Sequence, residues 1–158
     1  MGLDAHVVCA CLRDGRAKPH PLPERLGFDE TGEPYLKGNP SPADDALHDR
    51  WWTASCEHGG YQIGVRLGNI TGVAKIREFL RTLEGNPGPK FPILLQKVVY
   101  DGTHCGDWIP IELTRELSSE VDVVLHSSDI LNDWEKEFFG NMKKLCEASV
   151  VTGNPIVF

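Results

Sequence analysis

Hydrophobic and polar positions alternate along this chain in two periods, and the changes of period mark the elements. Ala5 to Leu12 (AHVVCACL) reads as a first strand, with Val7, Cys9 and Cys11 on one face and His6, Val8, Ala10 and Leu12 on the other. Pro19, Pro21 and Pro23 remove backbone donors from the segment that follows, so Arg16 to Gly27 is expected as an extended surface stretch. Phe28 to Leu36, turning at Asp29-Glu30-Thr31-Gly32, predicts a small hairpin or an edge excursion ending near Tyr35. Ser41 or Asp44 then caps a helix to about Ala54, in which Leu47, Trp51 and Ala54 share a stripe and Pro42 suits the first turn.

Period two returns at Tyr61 to Leu67, where Tyr61, Ile63, Val65 and Leu67 alternate with Gln62, Gly64 and Arg66. From Asn69 or Thr71 the period becomes helical, with Val73, Ile76, Phe79, Leu80 and Leu83 inside and Lys75, Arg77, Glu78 and Arg81 outside, stopping at Gly85. Phe91 to Tyr100 (FPILLQKVVY) is the most apolar run and predicts a buried central strand, broken by the turn pair Asp101-Gly102. Glu112 to about His126 has a helical repeat whose Val121, Val123 and Val124 pull its second half towards strand. Ser127 or Ser128 is the expected cap of the last and longest helix, carrying Leu131, Trp134, Phe138, Met142, Leu145 and Ala148 inward. Gly153-Asn154-Pro155 ends it, leaving Ile156 to Phe158 as a final edge strand. The pattern predicts one α+β domain over residues 1–158, with α/β as the alternative: a mostly buried sheet packed by three or four amphipathic helices.

Composition narrows the partners. A formal net charge of -7 repels phosphate backbones and anionic lipid, which disfavours nucleic acid and membrane and admits a basic protein partner. No apolar run reaches the roughly 20 residues of a membrane-spanning helix, and MGLDAHVVCACL has no basic segment leading a long apolar one, so a cytoplasmic location is the expectation. Five cysteines without a secretion signal are then expected as reduced thiols.

Three groups of side chains carry candidate chemistry. Cys9-x-Cys11 and Cys56-x-His58 supply three sulfurs and one imidazole, a set that fits tetrahedral zinc, although zinc loops usually space their cysteines by two to four residues rather than one. His104, Cys105 and Asp107 lie within the loop before Trp108 and offer a base, a nucleophile and an orienting acid for a hydrolase or transferase. Adjacent side chains diverge, so His104 has Cys9, Cys56 or a distant acid as alternative partners. Trp51 and Trp52, with Trp108, are the candidate binding aromatics, since an outward Trp marks an interface. No dinucleotide fingerprint, phosphate loop or nucleophile elbow is present.

The opening MGLDAHVVCACL, the segments Ala54-Ser55-Cys56-Glu57-His58 and Arg66-Leu67-Gly68-Asn69-Ile70, and the loop Gly102 to Trp108 together resemble a family of small uncharacterised bacterial proteins. The resemblance spans nearly the whole chain and implies a single domain, a bacterial origin and no particular activity or cofactor. Size and acidity also match immunity-type proteins that neutralise toxins. A non-enzymatic protein-binding domain of that kind is the leading expectation, with zinc binding and His/Cys/Asp catalysis as alternatives.

Overall fold

A computed structural model describes residues 2–85, 88–104 and 106–158. Strand β1 (Gly2–Val8) is followed by the short hairpin β2 (Leu26–Phe28) and β3 (Pro34–Leu36), helix α1 (Pro42–Ala54), strand β4 (Tyr61–Asn69) and helix α2 (Ile70–Leu83). Then come β5 (Trp108–Ile109), α3 (Ile111–His126), α4 (Asp133–Thr152) and β6 (Ile156–Val157). The main sheet has the order β4-β1-β6-β5 and every pairing in it is antiparallel, while β2 and β3 form a separate ribbon, so the chain is α+β.

The helices begin where side chains satisfy their free N–H groups. In α1 the Ser41 hydroxyl accepts from Asp44 N at 3.2 Å while Asp44 accepts from Ser41 N at 3.0 Å, a reciprocal pair whose removal costs about 1 kcal/mol. Asn69 does the same work for α2, accepting from Gly72 N at 2.8 Å. That helix lays Val73, Ile76 and Leu80 into the core, each contributing about 1.5–3 kcal/mol of burial. Along α3, Leu117, Val121 and Val124 are fully buried, and they meet Phe138, Met142 and Leu145 of α4 in one apolar cluster with Val7 and Ile156 of the sheet. Packing against α4 makes the valine-rich half of α3 helical, overriding its propensity.

Four expectations are corrected. The run Phe91 to Tyr100 is not a strand: Pro92 opens a helical turn that widens into a π-helical stretch at Leu94–Val98, with Val99 N donating to Leu94 O at 2.8 Å. Glu120 of α3 accepts from the free N–H groups of Ile93 at 2.9 Å and Leu94 at 2.8 Å, and so caps this segment from outside. The sequence does carry the helical signal, because Phe91, Leu94, Leu95 and Val98 repeat at i, i+3, i+4 and i+7 while Gln96 and Lys97 sit exposed side by side. Second, β1 stops at Val8, and Cys9 to Leu12 leave the ladder and turn. Third, the cap of α4 is Asn132, which exchanges hydrogen bonds with Glu135, rather than Ser127 or Ser128, which start a 3-10 turn region ahead of it. Fourth, β6 is an interior strand, between β1 and β5, instead of an edge.

Candidate metal centre

The end of β1 and the connection from α1 to β4 are brought together by sheet pairing. Val8 is the last residue of β1 in register with β4, opposite Tyr61, and Cys9 N donates to Gly60 O at 3.0 Å one step further on. The two turns that leave this corner, one through Cys11 and one through Cys56 and His58, therefore face each other. Gly59 and Gly60 make the second turn possible. Both have positive φ, 60° and 92°, and a Cβ on Gly60 would overlap the Trp52 ring, which lies across it.

Within this corner the Sγ atoms of Cys9, Cys11 and Cys56 and a ring nitrogen of His58 all lie within 4.8 Å of one another. Cys9 Sγ is 3.6 Å from Cys56 Sγ, and Cys11 Sγ is 3.2 Å from His58 Nδ1. A tetrahedron with metal–sulfur bonds of about 2.3 Å and a metal–nitrogen bond of about 2.0 Å has edges of roughly 3.5–3.8 Å, so the two shortest separations lie near those of a ligand set, while the widest, up to 4.8 Å, would close on an ion. The four residues are close enough to bind a metal ion. The thiols are free rather than bridged, and a disulfide would need its sulfurs at about 2.05 Å.

The electrostatics are uneven across the cluster. Burial pushes the Cys9 thiol up to about 12 and raises Cys11 as well. Burial acts on Cys56 in the same direction, but the backbone N–H groups of Gly60 and His58 and the thiols of Cys9 and Cys11 outweigh it and bring Cys56 down to about 6. One sulfur is thus held as a thiolate by amides of its own turn, as metal-binding turns hold theirs. The Arg16 guanidinium, 3.9 Å from Glu57, is near enough for its charge to lower Cys11 against the effect of burial.

The second group of candidates is elsewhere. Leu3 and Asp4, at the opposite end of β1 from Cys9, line a cavity that His104 also lines, so His104 does not pair with Cys9 or Cys56. Its Nδ1 is 3.8 Å from Asp107 Oδ2, beyond hydrogen-bond reach, and Asp107 instead accepts from the Tyr100 hydroxyl. Cys105 lies outside the described residues. Among the described residues, neither ring nitrogen of His104 has a hydrogen-bond partner. Two lining residues were not singled out by the sequence: Tyr100, whose ring lies tilted with its centroid 4.2 Å from that of His104, and Arg77, which the helical repeat places outside but whose side chain is only 15% exposed. Position 77 flanks the apolar stripe of α2, which is the one signal that was available.

The candidate binding aromatics divide. Trp51 is buried and its indole N–H donates to Lys18 O at 2.9 Å, so it packs α1 against the preceding loop and presents no outward face. Trp52 is half-buried against Tyr61, and Trp108 remains exposed. No helix among the described residues is long and apolar enough to cross a membrane. Comparison of the chain with protein-family models, with curated proteins and with solved structures gives no match, so the metal-competent corner is the feature from which its function is read.

Proposed function

We propose that Cys9, Cys11, Cys56 and His58 hold one structural zinc ion, which ties the end of β1 to the α1–β4 connection. The carrying observation is the mutual approach of four donor atoms, all within 4.8 Å, contributed by two turns 47 residues apart in sequence. Three sulfurs and one nitrogen within reach of one ion favour zinc over hard cations, which take oxygen donors. Donors this close surround one ion rather than a multi-iron cluster. Four protein ligands leave no open position for water or substrate, which makes the metal a cross-link and not a Lewis acid for catalysis.

Zinc would also account for otherwise unfavourable burial. Cys9 and Cys11 are 4% and 1% exposed, next to a Cys56 held as thiolate, and a divalent cation turns three crowded thiol groups into mutual ligands. Three thiolates and a neutral imidazole around a divalent ion carry one net negative charge, and Arg16 stands beside it. Metal analysis of the purified chain should return about one zinc per molecule, and replacement by cobalt should give the intense visible bands of tetrahedral sulfur-rich coordination. Cys11→Ser should abolish stoichiometric binding. A folded wild-type chain that takes up neither metal refutes the assignment.

A further inference from the structure

At the far end of β1 a cavity of about 370 Å³ opens between the first residues of the strand, the inner flank of α2 and the loop before β5. This is within the range of small-ligand sites, about 300–1,000 Å³. Its walls are apolar where Leu3, Val73 and Phe158 line it. Two polar groups withdrawn from water also reach it, and they are unlike each other. The His104 side chain is 12% exposed, with both ring nitrogens unpartnered among the described residues, a costly arrangement of about 1–3 kcal/mol per buried polar group. Arg77 is 15% exposed, and among the described residues its side chain makes one long hydrogen bond from Nη1 to Val99 O at 3.4 Å and one ion pair to Asp101 at 3.5 Å. Asp101 is 95% exposed, so water screens that pair and leaves the guanidinium fork with unused donors.

We propose that this cavity binds a small organic monocarboxylate with an apolar tail, its carboxylate received by Arg77 and His104 and its tail lying against Leu3, Val73 and Phe158. One cation and one imidazole match a single negative charge. A phosphate dianion would face the exposed carboxylates of Asp4 and Asp101 at the rim with too few donors, and an amine would meet the guanidinium. Burial holds the His104 imidazole below its usual value; the Asp107 carboxylate and the Tyr100 backbone oppose it, but neither reaches hydrogen-bond geometry with a ring nitrogen, so the neutral ring keeps an N–H for an incoming acceptor. A carboxylate satisfies that donor and takes the guanidinium fork bidentately.

The test is calorimetric titration of the full chain with octanoate, 1-octanol and octylammonium, together with NMR of the histidine side chains. Octanoate should bind once per chain, shift the His104 ring signals, and bind roughly tenfold or more tighter than octanol, the difference expected for a charge-assisted hydrogen bond. Arg77→Gln should remove most of that margin while leaving octanol unchanged. Should that variant fold poorly, Ile70→Glu asks the same question at an exposed rim position, where an acidic residue at the start of α2 favours the helix. It should weaken octanoate severalfold and strengthen octylammonium. Equal affinity for octanoate and octanol, unmoved His104 signals, or no saturation with millimolar octanoate would each overturn the proposal.

Discussion

The two ends of β1 hold similar side chains in opposite conditions. At its C-terminal end, the donors of Cys9, Cys11, Cys56 and His58 turn towards one another, within 4.8 Å. At its N-terminal end, His104 has no partner among the described residues and faces a cavity. The first arrangement is a set close enough to bind one metal ion, and its closeness comes from the ladder between β1 and β4, which fixes both turns at the same corner. The second is open, because Asp107 accepts from the Tyr100 hydroxyl and lies beyond hydrogen-bond reach of His104, whose imidazole faces the cavity. Residue type alone does not separate a metal ligand from a ligand-binding group. The difference lies in where the neighbouring polar atoms go.

The largest expected effect separates the two ends by metal. Chelation of the bound ion, or Cys56→Ser, should lower stability by about 4 kcal/mol if free zinc stood near a thousand times its Kd. That corresponds to a fall of roughly 10 °C in Tm for a chain of this size. The thermal melt should move while the octanoate affinity at the other end stays within about twofold, since sites with no shared partners act additively. Loss of both together would break the comparison.

Next in size is Glu120, whose carboxylate caps the segment that leads into the His104 loop. Glu120→Ala should cost about 2–3 kcal/mol by stranding two backbone donors, and Glu120→Gln less, because an amide oxygen still accepts one of them. Urea unfolding measures both, and zinc stoichiometry should be unaffected. Burial raises this carboxyl above its ordinary range, over the opposing effect of the Leu94 and Ile93 amides. A raised carboxyl contributes stability that is fully present below its unfolded value and is lost as pH rises through the folded one. Glu120→Gln should therefore remove a decline in stability on the alkaline side of about 4.3.

The smallest effect is a pH dependence at the open end. His104 is lowered chiefly by burial, so it is neutral in the folded chain. The unfolded chain takes up its proton first, and stability that is full above about 6.5 declines as pH falls below that value. His20, also lowered by burial, adds a similar acid-side loss. Its Nδ1 accepts from Leu22 N at 2.9 Å and its Nε2 lies 3.1 Å from His48 Nδ1, a neighbour that adds to the lowering of His20. Denaturant midpoints at pH 7.5 and 5.5 should differ less in His104→Asn than in the wild type, and saturating octanoate should shrink the difference further. An unchanged gap in both cases would assign the acid sensitivity to His20 and other groups.

Much of the architecture follows from local pattern. The strand Tyr61–Asn69, the helix Ile70–Leu83 with its Asn69 cap, the Ser41 capping box and the Gly153 stop are written in period and capping chemistry within a few residues, and such interactions act over that range. The ligand set of two tripeptides was equally legible as residue types, though its Cys-x-Cys spacing counted against it on a flat strand. The turn after Val8 removes that objection, and no local signal announces the turn's direction. Residues Phe91 to Val99 show the limit from the other side. A short apolar run supports either period, and the choice fell to Glu120, a carboxylate some 26 residues away that could offer itself only after α3 had packed.

The chain's own order of residues thus determined the strand Tyr61–Asn69, the helices capped by Ser41 and Asn69, the stop at Gly153, and which four side chains have the chemistry for a metal. Tertiary structure decided that β6 lies between β1 and β5, that His104 stands apart from every described thiol of the cluster, and that Arg77 turns from an outer helix face into a cavity. The physical reason is range. Periodicity and caps are settled within one or two turns of backbone, whereas a partner for a buried sulfur, imidazole or amide is chosen by whichever distant element packs beside it.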